Sequence, residues 1–342
     1  MRTRILLTIA ATATILAGCS NAENDETEII DSWNGEIRLS SGLAVQTRTD
    51  TPSDQGTQIA SGQEVGVFIN STATGNAVVS ANLKYDANGS GALTLNTSPS
   101  QTAPHYPNGN AVKIVAYQPY DANATNAFTG SSGSDTYDFS VKVDQNGNTN
   151  GDYYDSDLLY ATKDNAAAQP DAHKLTFTHK LSKILCTLTA GDGINSSDLS
   201  NATVSIVGAK IKGTFKPSDG TFTITSATGS GNESDVKLNS AITASSYIGV
   251  IPPQTFAQNA KFIEVAIGNS KFYYKVTGSS GITLTAAKVH KYKITVKASE
   301  LSVTSEITDW TGNTESDTPT NGEATMDEPA SGGSDTGATG SA

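Results

Sequence analysis

Apolar and polar positions alternate with a period of two along most of this chain. In "EIRLSSGLAV", Ile37, Leu39, Leu43 and Val45 mark one face, with Ser41-Gly42 read as a bend or bulge that shifts the alternation. A two-residue period belongs to a half-buried strand, because successive side chains point to opposite faces of a sheet. The runs "QEVGVFINS" (63–71) and "NAVKIVAYQPY" (110–120) are β-branched and aromatic and are bounded by Gly, Pro and Asn, so both predict strands. Between them, the apolar runs of "NLKYDANGSGALTL" flank Asn88-Gly89, a hairpin signal. "DYYDSDLLYATKD" predicts a further strand carrying Leu158, Leu159 and Tyr160. In "KFIEVAIGNSKFYYKV", Phe262, Val265 and Ile267 precede a turn at Gly268-Asn269, and Phe272, Tyr274 and Val276 follow it, which predicts a second hairpin. No long segment carries a helical period. Turn signals recur about every ten to fifteen residues, the texture of antiparallel sheets packed as a β-sandwich with one wet face.

The pattern also sets the organisation. "NAAAQPDAHK" reads as a linker and places a boundary near residue 168, dividing residues 36–168 from residues 169–310. After Trp310 the alternation stops, and residues 311–342 hold acidic residues, no Lys or Arg, and a Gly/Ser/Thr/Pro bias. Such a segment buries too little to order itself and is read as a disordered acidic tail. At the other end, "MRTRILLTIAATATILAGCS" sets two arginines before an apolar run from Ile5 to Ala17, too short to span a bilayer and suited to a secretory signal. Its "LAGC" (Leu16, Ala17, Gly18, Cys19) resembles a bacterial lipobox, so residues 1–18 are read as a lipoprotein signal peptide and Cys19 as the acylated N-terminus. Several acyl chains hold a protein on a membrane without spanning it. Residues 19–35 open with "CSNAENDETE" and read as an acidic tether.

Composition narrows the class. Hydrophobic residues make up 36% and charged residues only 16%, which suits an extracellular β protein with long polar loops. A net charge of −12, with no basic stripe in the sequence to neutralise phosphates, argues against nucleic acid. With Cys19 acylated, Cys186 is the remaining thiol; no intrachain disulfide is expected, and Cys186 reads as a small buried hydrophobe.

Candidate chemistry is sparse. His105, His173, His179 and His290 lack the paired spacing of a zinc site. Neither a nucleophile elbow nor a phosphate-binding loop occurs, so no enzyme activity and no cofactor are expected. Asp155 and Asp157 at alternate strand positions read as ordinary surface acids and not as a glycosidase pair. Asn146, Asn148, Asn150 and Gly151 match the early positions of a calcium loop that ends at Asp157, but Asn replaces Asp at its start and Asp replaces Glu at its end. An Asn/Gly-rich surface turn is the competing reading, and no metal is assigned. The sequons at Asn123 and Asn201 are by-products of a polar surface.

Taken in order, the lipobox, "IRLSSGLAVQTRTD", "GQEVGVFI", "SDLLYA", "LTFTHKLSKILCTL", "IGVIPPQTF" and "VHKYKITVKASELSVTSEITDW" resemble the fimbrillin family of Bacteroidales, the type V pilins and their relatives, from Cys19 to Trp310. The acidic tether is similar to the export signal of surface lipoproteins in the same bacteria. The resemblance implies two tandem transthyretin-like Greek-key β-sandwich domains. It also implies export to the outer-membrane surface and cleavage by an arginine-specific protease in the loop after the first strand. Carried over, cleavage falls between Arg48 and Thr49, and Ile37, Leu39, Leu43 and Val45 belong to the released strand, whereas a cut at Arg38 would divide it. Leu301, Val303, Ile307 and Trp310 form either a donor strand for a neighbour or the last strand of the second domain, with Trp310 capping its core. The implied partners are other fimbrial subunits in a head-to-tail polymer, the outer membrane through lipid before processing, and host or bacterial surface ligands. The alternative is a surface lipoprotein that never polymerises and binds glycans or host proteins through exposed aromatics of "YYDSDLLY" or "KFYYK".

Overall fold

The computed structural model describes residues 33–43, 58–73, 77–98, 100–124, 136–146, 151–226, 231–243, 246–310 and 320–325. The chain divides into two compact units, Met1–Asn34 and Gly35–Ala342, and every element below lies in the second. It is nearly all β. In chain order come β1 (Leu39–Leu43), β2 (Glu64–Ser71), β3 (Val78–Ala87), β4 (Ala92–Leu95), β5 (Val112–Gln118), β6 (Tyr137–Ser140), helix α1 (Gly151–Ser156), β7 (Leu159–Ala166) and β8 (His173–His179). There follow β9 (Ser182–Ala190), α2 (Ser196–Leu199), β10 (Thr203–Lys210), β11 (Lys212–Lys216), β12 (Thr221–Ile224), β13 (Glu233–Lys237), β14 (Asn239–Thr243) and β15 (Ser246–Ile251). The last are β16 (Thr255–Phe256), β17 (Lys261–Ile267), β18 (Ser270–Lys275), β19 (Ile282–Thr283), β20 (Lys288–Val296), β21 (Glu300–Asp309) and β22 (Thr320–Thr325).

Strands β1-β4-β3-β2-β5-β7-β8, in that order, close into a barrel. The later strands build a larger sheet, β14-β15-β9-β20-β21-β22, facing β13-β10-β17-β18, and β6 from the first half completes a small sheet with β11 and β12. Both expected hairpins form: Gly89 (φ 77°) lies in the β3–β4 connection and Gly268 (φ 58°) turns β17 into β18, with Ile267 opposite Ser270. Gly66 serves a different need. A Cβ there would lie 2.2 Å from the Tyr117 ring, so the barrel admits that ring only over a bare backbone.

One continuous core runs from Phe68 and Tyr117 through Phe215, Ile184 and Cys186 to Phe262, Tyr292 and Trp310. Cys186 is fully buried, and burial pushes its thiol pKa well above the usual range, so it packs as an inert hydrophobe.

Three local expectations differ from what forms. Gly151–Ser156 is a helical turn, not the start of a strand, since Tyr153, Ser156 and Asp157 bury at helical spacing and Ser156 Oγ donates back to the Asp152 carbonyl at 2.8 Å. Ser41-Gly42 makes no bulge: β1 keeps an unbroken register of five pairs with β8, because Ser41 sits inward and its N–H donates to the Gly91 carbonyl at 2.7 Å. Within the tail read as disordered, Thr320–Thr325 pairs antiparallel with β21, from Ser305 opposite Thr320 to Glu300 opposite Thr325. A ladder needs only backbone donors and acceptors, so an open strand edge can recruit a segment with no apolar pattern.

His290 on β20 is 1% exposed, and its Nε2 accepts the Thr285 amide N–H at 3.1 Å. Burial, with the Lys288 charge adding to it, lowers its pKa to about 4. The unfolded chain protonates this ring near pH 6.5 and the folded chain resists until about pH 4, so stability is complete above 6.5 and falls as pH drops toward 4. The loss expected across that window is up to about 3 kcal/mol. Denaturant midpoints measured between those pH values should show the slope, and His290→Gln should flatten it.

Candidate functional site: the seam strand of the barrel

β1 is built from the alternation of Ile37, Leu39, Ser41 and Leu43, each at most 5% exposed. It runs parallel to β8, pairing Leu39 with His173 and Leu43 with Phe177, and antiparallel to β4, pairing Leu39 with Leu93 and Ser40 with Ala92. A single five-residue strand therefore closes the barrel between two strands that do not otherwise meet.

The residues just ahead of β1 are tied down as firmly. Ile37 N–H donates to the Pro104 carbonyl at 2.8 Å, and Tyr106 N–H donates to the Gly35 carbonyl at 3.0 Å. His173 N–H donates to the Arg38 carbonyl at 2.8 Å, and the Arg38 guanidinium donates to the Pro170 carbonyl at 3.2 Å. Tyr106 Oη and His173 Nε2 lie 2.5 Å apart beneath this entry. Gly91 holds the β4 side, where φ is 98° and a Cβ would stand 3.2 Å from the Ser41 carbonyl. The groove under β1 is apolar: Leu93, Leu175 and Phe177 are all buried. Without β1, the outer edges of β4 and β8 would present unpaired N–H and C=O groups beside that groove.

The end of the last long strand forms the second feature. β21 pairs with β20 over nine positions, from Val296 opposite Leu301 to Lys288 opposite Asp309. Leu301 and Val303 point into the core, each 2% exposed, while Ile307 is 36% exposed. Trp310 is fully buried, its N–H donating to the Ala287 carbonyl at 2.7 Å. Its ring stacks on His179 with centroids 3.6 Å apart and planes 7° from parallel, and the Lys183 ammonium lies 5.8 Å from its centre. His179 Nδ1 donates in turn to Asp157 Oδ1 at 2.8 Å, with both groups buried. This Trp-His-Asp stack fastens the end of β21 to the end of β8. Sequence reasoning missed it because residues 157, 179 and 310 share no local pattern.

The remaining expected residues lie apart. Asp157 faces His179, whereas Asn146 Oδ1 accepts from the Ser240 N–H at 2.8 Å and from its hydroxyl at 2.9 Å. Asp155 stands 4.0 Å from the Lys142 ammonium, and burial raises its carboxyl pKa. It shares no face with Asp157. Among the described residues, no group of three His, Cys, Asp or Glu is placed to hold a metal ion, and no helix is long and apolar enough to cross a membrane. Cys19, Val45, Arg48, Thr49, Asn148 and Asn150 lie outside the described residues.

A family model described as fimbrillin-like matches residues 47–310. The chain belongs to the fimbrillin-like family. A candidate cell adhesion protein of Bacteroides uniformis ATCC 8492 shares its fold at a TM-score of 0.59 and 22% identity, over 81% of this chain and 99% of that one. Another, from Bacteroides ovatus ATCC 8483, aligns at a TM-score of 0.60 and 20% identity, over 80% and 96% of the two chains. The tip fimbrial protein Mfa3 of Porphyromonas gingivalis matches at a TM-score of 0.43 and 9% identity, over 80% and 99%. No curated protein matches the chain. Family membership makes a fimbrial role at the cell surface, structural or adhesive, the coarse assignment for this fimbrillin-like protein.

Proposed function

We propose that this fimbrillin-like protein is a structural subunit of cell-surface fimbriae whose first strand is provisional. The observation that carries the reading is the seam position of β1, the one strand that joins β4 to β8 and lies next to the N-terminal end of the barrel. In this reading the chain reaches the outer membrane as a lipoprotein acylated at Cys19. A protease cuts between Arg48 and Thr49, β1 leaves with Ile37, Leu39, Leu43 and Val45, and a strand from a neighbouring subunit enters the groove. β-Strand addition of this kind supplies backbone hydrogen bonds and apolar anchors together. Donor and acceptor surfaces differ, so the contact is head-to-tail and builds an open filament. Two tandem β domains belong to the same proposal, but the boundary expected near residue 168 moves to between His179, where the barrel ends, and Ser182, where the long strand of the second large sheet starts, because β8 closes the barrel.

Arg48→Ala tests the reading. Surface-extracted wild-type protein should begin at Thr49 by N-terminal sequencing and run as multimers that resist detergent, whereas the variant should keep acylated Cys19 and stay monomeric. Acylated Cys19 on every wild-type molecule, or unchanged assembly of the variant, counts against it.

A further inference from the structure

The seat of β1 is not uniform along its length. Of the four inward side chains, Ile37, Leu39 and Leu43 are large and apolar, while Ser41 between them is small and 3% exposed. On the β8 side Ser41 pairs with Leu175, which is buried. On the β4 side it meets backbone, where the Gly91 carbonyl accepts the Ser41 N–H at 2.7 Å and the Ser41 hydroxyl at 3.4 Å.

That wall stands close because Gly91 has no side chain. A Cβ there would lie 2.9 Å from Gln58 Oε1 and 3.2 Å from the Ser41 carbonyl oxygen, and its φ of 98° lies in the region that favours glycine. The backbone of residue 91 is therefore set hard against β1 at this one place. A γ carbon in place of the Ser41 Oγ would press on a carbonyl oxygen to which it cannot donate, and a longer side chain would have to displace Leu175 or the Gly91 backbone. The neighbouring Gly42 imposes no such limit, because a Cβ on it would meet only the far end of the flexible Lys174 side chain.

We propose that the groove under β1 selects its strand by size at this position: the place of Ser41 takes Ser, Ala or Gly, while the places of Ile37, Leu39 and Leu43 take large apolar side chains. The partner it fits is a strand of a neighbouring subunit with apolar, apolar, small and apolar residues at alternate positions. A strand with a large residue third in that series is refused, although its backbone could form the same ladder. The inference rests on the strand-release reading above and adds to it the rule by which the vacated groove takes one strand and rejects another.

The test uses the full chain carrying Leu39→Asp and Leu43→Asp, whose own β1 is expelled because two carboxylates would otherwise be buried without partners. A fluorescent peptide of residues 34–47 is titrated against it by anisotropy, beside the same peptide with Ser41→Ala or Ser41→Leu. The first two should bind alike, and the Ser41→Leu peptide should bind about tenfold more weakly or worse. The same substitutions in the otherwise intact chain probe the site without opening the groove: Ser41→Ala should keep the denaturant midpoint, and Ser41→Leu should lower it. Equal binding of all three peptides, or an unchanged Ser41→Leu midpoint, overturns size selection and leaves strand release standing. Binding by none of the peptides counts against strand release itself, and size selection falls with it.

Discussion

A chain that begins at Thr49, and so lacks β1, should lose on the order of 5–9 kcal/mol of stability, from the burial of three large apolar side chains at about 1.5–3 kcal/mol each. Those side chains are Ile37, Leu39 and Leu43, and their loss also strips the ladder partners from Leu93 and from His173–Phe177. A loss of that size is comparable to the whole stability of an ordinary domain. The truncated chain should therefore either unfold or capture another strand, appearing as multimers or as material that binds a dye for exposed apolar surface. A synthetic peptide of residues 34–47 added in trans should restore a monomer with a denaturant midpoint close to that of the intact chain. An unchanged midpoint in a truncated chain that stays monomeric would show that the seam strand is dispensable.

Trp310→Ala should cost about 3–5 kcal/mol, the usual range for removing a large buried aromatic side chain. The reason is more than volume. Trp310 covers His179 face to face, and His179 holds the fully buried Asp157 through Nδ1, so truncation opens a polar pair to a cavity. Trp310→Phe should retain a flat ring over His179 and recover most of the loss. Guanidinium unfolding of the three proteins reads the difference, and a Trp310→Ala midpoint within error of the parent rules out the stack as a fastening of β21 to β8.

Much of this molecule was legible from local pattern. The alternation of Ile37, Leu39 and Leu43 named a strand with a buried face, and Asn88-Gly89 and Gly268-Asn269 named two hairpins. Helical spacing at Tyr153, Ser156 and Asp157 was hidden because a six-residue turn is too short to show a period. The stack of Trp310 on His179 was hidden for another reason: aromatic and imidazole rings at distant positions carry no mark of each other until the sheets bring them together. Asp157, read from spacing as a calcium-loop end, is engaged with His179.

By itself the sequence determined strand character, because side chains alternate across an extended backbone whatever the strand pairs with. It also determined family: an ordered set of short segments resembled the fimbrillins, and a fimbrillin-like family model matches residues 47–310. Only the tertiary structure decided which strands become neighbours: that β1 lies parallel to β8 and antiparallel to β4, that β6 leaves the first half to pair with β11, and that Thr320–Thr325 adds to β21. The cost of closing a loop grows only slowly with its length, so separation along the chain selects partners weakly. What selects them is the burial of a complementary face, and that exists only once the sheets have met.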